Sequence, residues 1–333
     1  MTAKSKITKP SSVVLLAVLA LTVTAGKIPG QAQNAPAPQA NEATIRLIAV
    51  DKDGRFVNTL RAEDVRLLQD GTPQSISNFQ RTTDRILSLA ILIDTSMSQE
   101  RTLPAQKMAA TSFVNSIMRS DGDEAAIATF TDLPNLEQKL TRDPTLLRQA
   151  IERAKVVPPP GFIGGGIVVG PLPPTRKSGA LTGSTAIWDA VLAACANVLS
   201  QSARQTRRAI ILLTDGEDTV SKSTITTAVE RAVKEDVAIY AIGIGDPKFA
   251  GLNKDGLRKL SERTGGRAFF PKTVGDLTAI FNEIGQELRS QYLISFSSAG
   301  RKSGAAKIKL EIVNPELRKS SVQLFYQQIV SNK

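Results

Sequence analysis

Four unbroken apolar runs limit what this chain can fold into: 87–93, 125–130, 209–213 and 237–244. A strand with one wet face alternates polar and apolar residues. An uninterrupted run is what a strand looks like when helices cover both faces of a parallel sheet. The intervening segments have helical spacing. Leu103, Ala110, Phe113, Val114 and Ile117 form one stripe, and Leu147, Ala150, Ile151 and Ala154 a second. Ile187, Val191, Ala194, Cys195, Val198 and Leu199 form a third. A fourth helix covers 224–233. The segment 257–263 ends at Gly265-Gly266, a C-cap signal, and leads into a short strand at 267–270. Leu277, Ile280, Phe281, Ile284 and Leu288 mark the last helix. Strands alternating with helices predict an α/β fold, a doubly wound and mostly parallel sheet flanked by helices. Right-handed crossovers and ligand binding at the carboxyl ends of the strands follow as expectations.

The flanks read differently. Residues 43–82 alternate around turn signals at Asp51-Lys52-Asp53-Gly54 and Asp70-Gly71, which predicts a small N-terminal β module. In 291–333, Ile308, Leu310 and Ile312 alternate with charged residues, Asn314-Pro315-Glu316 turns, and Val322, Leu324 and Tyr326 alternate again. That pattern predicts a C-terminal β-hairpin module, expected to pair with the N-terminal one. The α/β domain is assigned to 85–290.

The first 32 residues have a basic start (Lys4, Lys6, Lys9), an apolar core at 13–25 too short to span a bilayer comfortably, and small residues that allow cleavage after Ala25 or Ala32. They read as a secretory signal peptide, followed by a Pro/Ala/Gln-rich linker at 33–42. The alternative is an N-terminal membrane anchor. The expected destination is the periplasm, the cell envelope or the medium. Cleavage after Ala32 lowers the formal charge of +11 by four lysines to +7. The remaining basic residues are scattered and aromatics make up only 5%, which argues against nucleic acid. There is no histidine, so Ser-His-Asp catalysis and His-ligated zinc are excluded. The single cysteine, Cys195, cannot form an intramolecular disulfide and lies on an apolar stripe, as an inert core residue would.

The chemistry concentrates where the first apolar run ends, in Asp94-Thr95-Ser96-Met97-Ser98. One carboxylate and two hydroxyls in a tight turn at a buried strand tip suit a hard divalent cation, which takes oxygen ligands. Thr185 precedes a helix, and Asp215 ends another apolar run. In a doubly wound sheet those tips converge, so Asp94, Ser96, Ser98, Thr185 and Asp215 can surround one Mg²⁺ (or Mn²⁺ or Ca²⁺). Water and an external carboxylate would complete its shell. Glu217 and Asp218 read as solvated loop charges, and Asp189 as a residue serving its own helix N-terminus. The Pro/Gly-rich segment 157–181 is longer than an ordinary connection and is expected to overhang the cation. Gly161, Phe162 and Ile163 within it are candidate partner contacts.

These residues in this order resemble a von Willebrand factor A domain with an intact metal-ion-dependent adhesion site. All five positions of that pattern are filled: Asp94, Ser96, Ser98, Thr185 and Asp215. The resemblance covers roughly 85–290. It implies that Ser96, Ser98 and often Thr185 touch the metal directly, with Asp94 and Asp215 acting directly or through water. The N-terminal segment 50–57, with Leu60, Glu63-Asp64-Val65 and Asp70-Gly71-Thr72-Pro73-Gln74, is similar to a bacterial group of exported "VWFA-related" proteins frequent in acidobacteria.

The function that follows is a non-enzymatic, metal-dependent module that captures a partner protein's Asp or Glu side chain. Two other readings remain at this point. One is a structural envelope protein with a vestigial site. The other is a metal-dependent hydrolase using Asp94, against which stand Ser96 where such enzymes carry a second aspartate and the missing P-loop.

Overall fold

The computed structural model describes residues 41–83, 85–158, 162–163, 167–168, 184–203, 205–245, 251–273, 275–298 and 306–330. The expected signal peptide lies outside the described residues, as does the linker up to residue 40. Asn41 and Glu42, expected in that linker, already belong to the strand Asn41–Val50, where they pair with Ser298 and Ser297.

The apolar runs form a six-stranded sheet in the order Ala268–Phe269, Val237–Gly243, Arg207–Thr214, Leu87–Asp94, Glu124–Phe130, Pro134–Thr141. The first five strands are parallel. Alternate residues of the central strands go to opposite cores. Leu89, Ile91, Ile93, Ile211 and Leu213 share one cluster with residues of the helices Leu103–Ile117, Pro144–Arg153 and Asp276–Arg289. Ala90, Leu92, Ile210 and Leu212 share the other with residues of Ile187–Ala193, Ile225–Lys234 and Lys254–Arg263. Each buried Leu or Ile contributes about 1.5–3 kcal/mol relative to exposure. This two-sided burial holds the strand tips rigidly in line.

Two local features depart from expectation. The edge strand Pro134–Thr141 pairs antiparallel with Glu124–Phe130. Its mostly polar sequence carries little strand signal, and an edge position tolerates both its proline and its charges. The Cys195 helix is an α-helix only over Ile187–Ala193, then a π turn at Ala194–Val198 and a 3₁₀ turn at Leu199–Gln201. Cys195 is buried there, and burial pushes its thiol up to about 12, which leaves it unreactive.

The terminal segments interleave in two antiparallel sheets. One runs Gln323–Tyr326, Asn41–Val50, Ser290–Ser298, Ile76–Thr83. The other runs Ile329–Val330, Ala306–Ile312, Val65–Gln69, Thr72–Gln74. Ile45, Leu47, Leu67, Ile294, Phe296, Ile308 and Leu310 make one core between them. The expected C-terminal hairpin is not formed by its two alternating segments. Ala306–Ile312 pairs with Val65–Gln69, whereas Gln323–Tyr326 pairs with Asn41–Val50 in the other sheet. The helix Pro315–Lys319, capped by the Asn314 side chain, carries the chain across. The alternation was the same because both segments face the same core from opposite sides.

Candidate metal centre

The strand Leu87–Asp94 is buried along its whole length and ends at Asp94. Thr95 closes it, with both N–H and Oγ1 donating to the Phe130 carbonyl at 3.0 and 3.1 Å. Ser96 N–H then turns back onto Asp94 Oδ1 at 2.9 Å. This Asx-type turn starts the 3₁₀ turn Met97–Gln99 and brings Ser96 Oγ within 3.0 Å of Ser98 Oγ. From the adjacent strand, Thr214 Oγ1 donates to Asp94 Oδ2 at 2.6 Å.

Asp215 follows Thr214. Its Oδ1 accepts from Glu217 N–H at 3.0 Å, and its Oδ2 from Gln99 Nε2 at 3.0 Å. The turn depends on Gly216, whose φ is +83° and where a Cβ would lie 2.9 Å from Leu257 Cγ. Thr185 is buried, and its backbone is tied to the loop after Asp215. Its N–H donates to Thr219 Oγ1, and its carbonyl accepts from Thr219 N–H, both at 2.8 Å. The next residue, Ala186, donates to the Thr131 carbonyl at 2.6 Å, just beyond a third strand tip. Thus the three segments that carry the five predicted residues meet at one end of the sheet. Gly161 lies outside the described residues, while Phe162–Ile163 forms a two-residue strand paired with Ile167–Val168.

The site's electrostatics are unbalanced. Asp94 is fully buried and Asp215 nearly so, and neither has an ion-pair partner among the described residues. Burial, then the nearby Asp215, pushes the Asp94 carboxyl up to about 7. Burial also raises Asp215, against hydrogen bonds from Ser98 and Gln99 that lower it. Two buried acids with only neutral donors around them need either protons or a cation. The donor set is all oxygen, carboxylate plus hydroxyl, and so fits a hard divalent ion. No cluster of three or more acidic, Cys or His side chains occurs among the described residues, so hydroxyls are essential to the ligand count.

Four residues escaped the sequence reading. Gln99 and Gln106 are fully buried, and Gln106 Nε2 donates to Gln99 Oε1 at 2.7 Å. Thr102 Oγ1 also donates to Gln99 Oε1, at 2.8 Å, leaving the Gln99 amide N–H₂ aimed at Asp215 and Ser98. A glutamine on the Leu103–Phe113 apolar stripe was the available signal. Thr214, a hydroxyl at the end of an apolar strand, was another. Asp218 is the fourth, a correction to its reading as a solvated charge. It accepts from Ile187 N–H at 2.8 Å and Ser221 Oγ at 2.5 Å, and so caps the helix after Thr185. Asp189 lies in the first turn of its own helix, and its carboxylate also accepts from Lys222 and Ser223 N–H at 2.9 and 3.0 Å.

Replacing Gln99 with Leu removes the donor that orients Asp215 and leaves the Gln106 amide with Thr102 Oγ1, at 3.1 Å, in place of its two acceptors. Outer-shell changes of this kind typically cost 10–100-fold in metal affinity. A loss of about that size, with Mg²⁺ stoichiometry retained, is the expected result in calorimetry. Unchanged affinity would show that Asp215 needs no such support.

Two family models, each of the von Willebrand factor type A domain, match the chain over residues 89–217 and 177–283. No curated protein matches it. Among solved structures it is similar to proximal thread matrix protein 1 from the mussel byssus, at 20% identity and a TM-score of 0.49, covering 64% of this chain and 49% of that one. It therefore spans about half the length of the mussel protein. A von Willebrand factor type A protein from Catenulispora acidiphila is 14% identical with a TM-score of 0.48, covering 73% and 71%. An aerotolerance-related membrane protein from Bacteroides fragilis NCTC 9343, with multiple mutations to serines, is 16% identical with a TM-score of 0.44, covering 61% and 98%. Between them the two von Willebrand factor type A domain models match residues 89–283, the span that carries most of the α/β sheet described above.

Proposed function

We propose that Asp94, Ser96, Ser98, Thr185 and Asp215 hold one divalent cation, Mg²⁺ in the first instance, and that the protein uses it to capture an acidic side chain of a partner protein. The observation that carries this reading is the pair of buried carboxylates without a positive partner beside two hydroxyls 3.0 Å apart. A bound cation supplies a positive centre whose remaining coordination positions can accept a partner's carboxylate. The protein's own residues orient the oxygens: Ser96 N–H and Thr214 fix Asp94, and Gln99 fixes Asp215. The proposed role is binding rather than turnover, as is typical of von Willebrand factor type A domains. Gly161, Phe162 and Ile163 are the proposed secondary partner contact.

Export by the N-terminal segment to the periplasm, envelope or medium belongs to the same proposal, as does membership of the exported acidobacterial-type group. So do the domain limits 43–82, 85–290 and 291–333. No helix among the described residues is long and apolar enough to cross a membrane.

The test is a calorimetric titration of Mg²⁺ and Mn²⁺ into chelator-treated protein, repeated with acetate present. Saturable binding near one equivalent is expected, lost in Asp94→Ala and weakened about tenfold or more in Thr185→Ala. No heat under either condition would leave a structural protein with a vestigial site as the reading. Because Asp94 carries a proton below about pH 7, affinity is expected to fall as the pH drops from 8 to 6.

A further inference from the structure

At the opposite end of the central sheet from Asp94, the strand Arg207–Thr214 begins with a buried arginine. Arg207 is 2% exposed, one of the largest fully enclosed side chains in the protein. Its Nη2 donates to Thr82 Oγ1 at 3.2 Å, while Nε and Nη1 meet no acceptor among the described residues. Guanidinium groups this deeply buried are ordinarily paired, because an uncompensated buried charge costs several kcal/mol.

A cavity of about 20 Å³ lies against it, lined also by Arg46, Arg208, Asp236, Thr264, Gln291 and Gln327. Three arginines and one aspartate therefore line it, with Glu235 3.8 Å from Arg208 Nη1. The aspartate, Asp236, is engaged by Arg46. Arg208 is engaged elsewhere, by the Ser202 hydroxyl and carbonyl, each at 2.8 Å. The charge of Arg207 is left unmatched. Burial, then the charge of Arg46, accordingly pulls its guanidinium down to about 9. The cavity is polar and has room for one body the size of a water molecule, and is too small for phosphate or sulfate. Water would satisfy the N–H groups but leave the charge.

We propose that the Arg207 cavity binds a single small inorganic anion, chloride in the first instance. Arg46 and Gln291 come from the sandwich sheet, and Arg207, Arg208 and Asp236 from the α/β layer. The anion thus sits where those two layers meet and ties them together. The site is independent of the metal centre.

The test compares the thermal midpoint of the purified protein in sodium chloride, bromide and gluconate at one ionic strength. Chloride and bromide should raise it over gluconate, by roughly 4 °C for each tenfold rise above the dissociation constant and without levelling off. Gln291→Glu places a carboxylate in the cavity. That variant should equal or exceed the wild type in gluconate and ignore halide. Arg207→Met should also lose the halide response. If it does not fold, Gln291→Glu and bromide-soaked crystals of the wild type carry the test, with an anomalous peak expected beside Arg207. Equal wild-type midpoints in chloride and gluconate, a Gln291→Glu variant as halide-sensitive as the wild type, or a water in place of bromide would each overturn the proposal.

Discussion

Asn in place of Asp94 is expected to raise the thermal midpoint of chelator-treated protein at pH 8, and to abolish the further rise with Mg²⁺ that the proposed function predicts for the wild type. Burial, then Asp215, moves the Asp94 carboxyl from an ordinary 3.8 to about 7. At pH 8 the folded protein must hold it ionised, which costs about 4 kcal/mol relative to the unfolded chain. Asparagine keeps an acceptor for Ser96 N–H but turns its amide toward Thr214, disturbing one hydrogen bond at about 1 kcal/mol. The balance, about 3 kcal/mol, corresponds to roughly 5–10 °C. The sign with pH follows from the raised value. Wild type loses this stability as the pH climbs from about 4 to about 7, so the two proteins converge in acid. A metal-free Asp94→Asn that melts below wild type at pH 8 would refute the claim that the site stores unfavourable charge for a cation to neutralise.

Removal of Asp123 is expected to have the largest purely structural effect, a loss of about 3–5 kcal/mol in urea unfolding at pH 7 with little change in slope. Asp123 is fully buried and accepts from Leu87 N–H at 2.8 Å and Arg119 N–H at 3.0 Å. The Arg289 guanidinium also engages it through both terminal nitrogens. It thereby joins the start of the central strand to the ends of the helices Leu103–Ile117 and Asp276–Arg289. Burial alone would raise its pKa, but the Arg289 charge and the backbone donors outweigh that and hold it below 3.8. Its contribution is therefore full above about pH 4 and disappears as the pH falls through the lowered value. Asp123→Ala and wild type should differ most near neutrality and least near pH 2. Asp123→Asn, which keeps acceptors, should fall between them. A loss under 1 kcal/mol in Asp123→Ala would mean that Arg289 finds an equal partner elsewhere.

The parts of the fold legible in the sequence were those whose burial is complete. A strand covered on both faces, such as Leu87–Asp94, has no choice but an apolar run, and its end is marked by the first residue that cannot be apolar. The parts that were not legible obey weaker constraints. Pro134–Thr141 is half wet and at an edge, so almost any sequence suffices. Which sheet Gln323–Tyr326 joins is decided by a core that both candidate sheets share, and alternation is blind to that. In the candidate site, ligand-type residues at strand tips announce themselves by chemistry. Gln99 and Gln106 act through other residues, and a glutamine has no chemistry that distinguishes support from solvent. Asp218 was misread for a related reason: the helix N-terminus it caps lies 31 residues away in the chain and beside it only in space.

The interleaving of the chain's two ends has a consequence for the order in which the protein can be made. The strand Asn41–Val50 is made well before both its neighbours, Ser290–Ser298 and Gln323–Tyr326. Everything from Leu87 to Arg289 can settle through its own closer contacts while that first strand waits with both edges unpaired. An unpaired apolar strand is a template for any other extended chain. The vulnerable interval of this protein's life is therefore its own biosynthesis, and it closes only when both partner strands, the second ending at Tyr326, have been made.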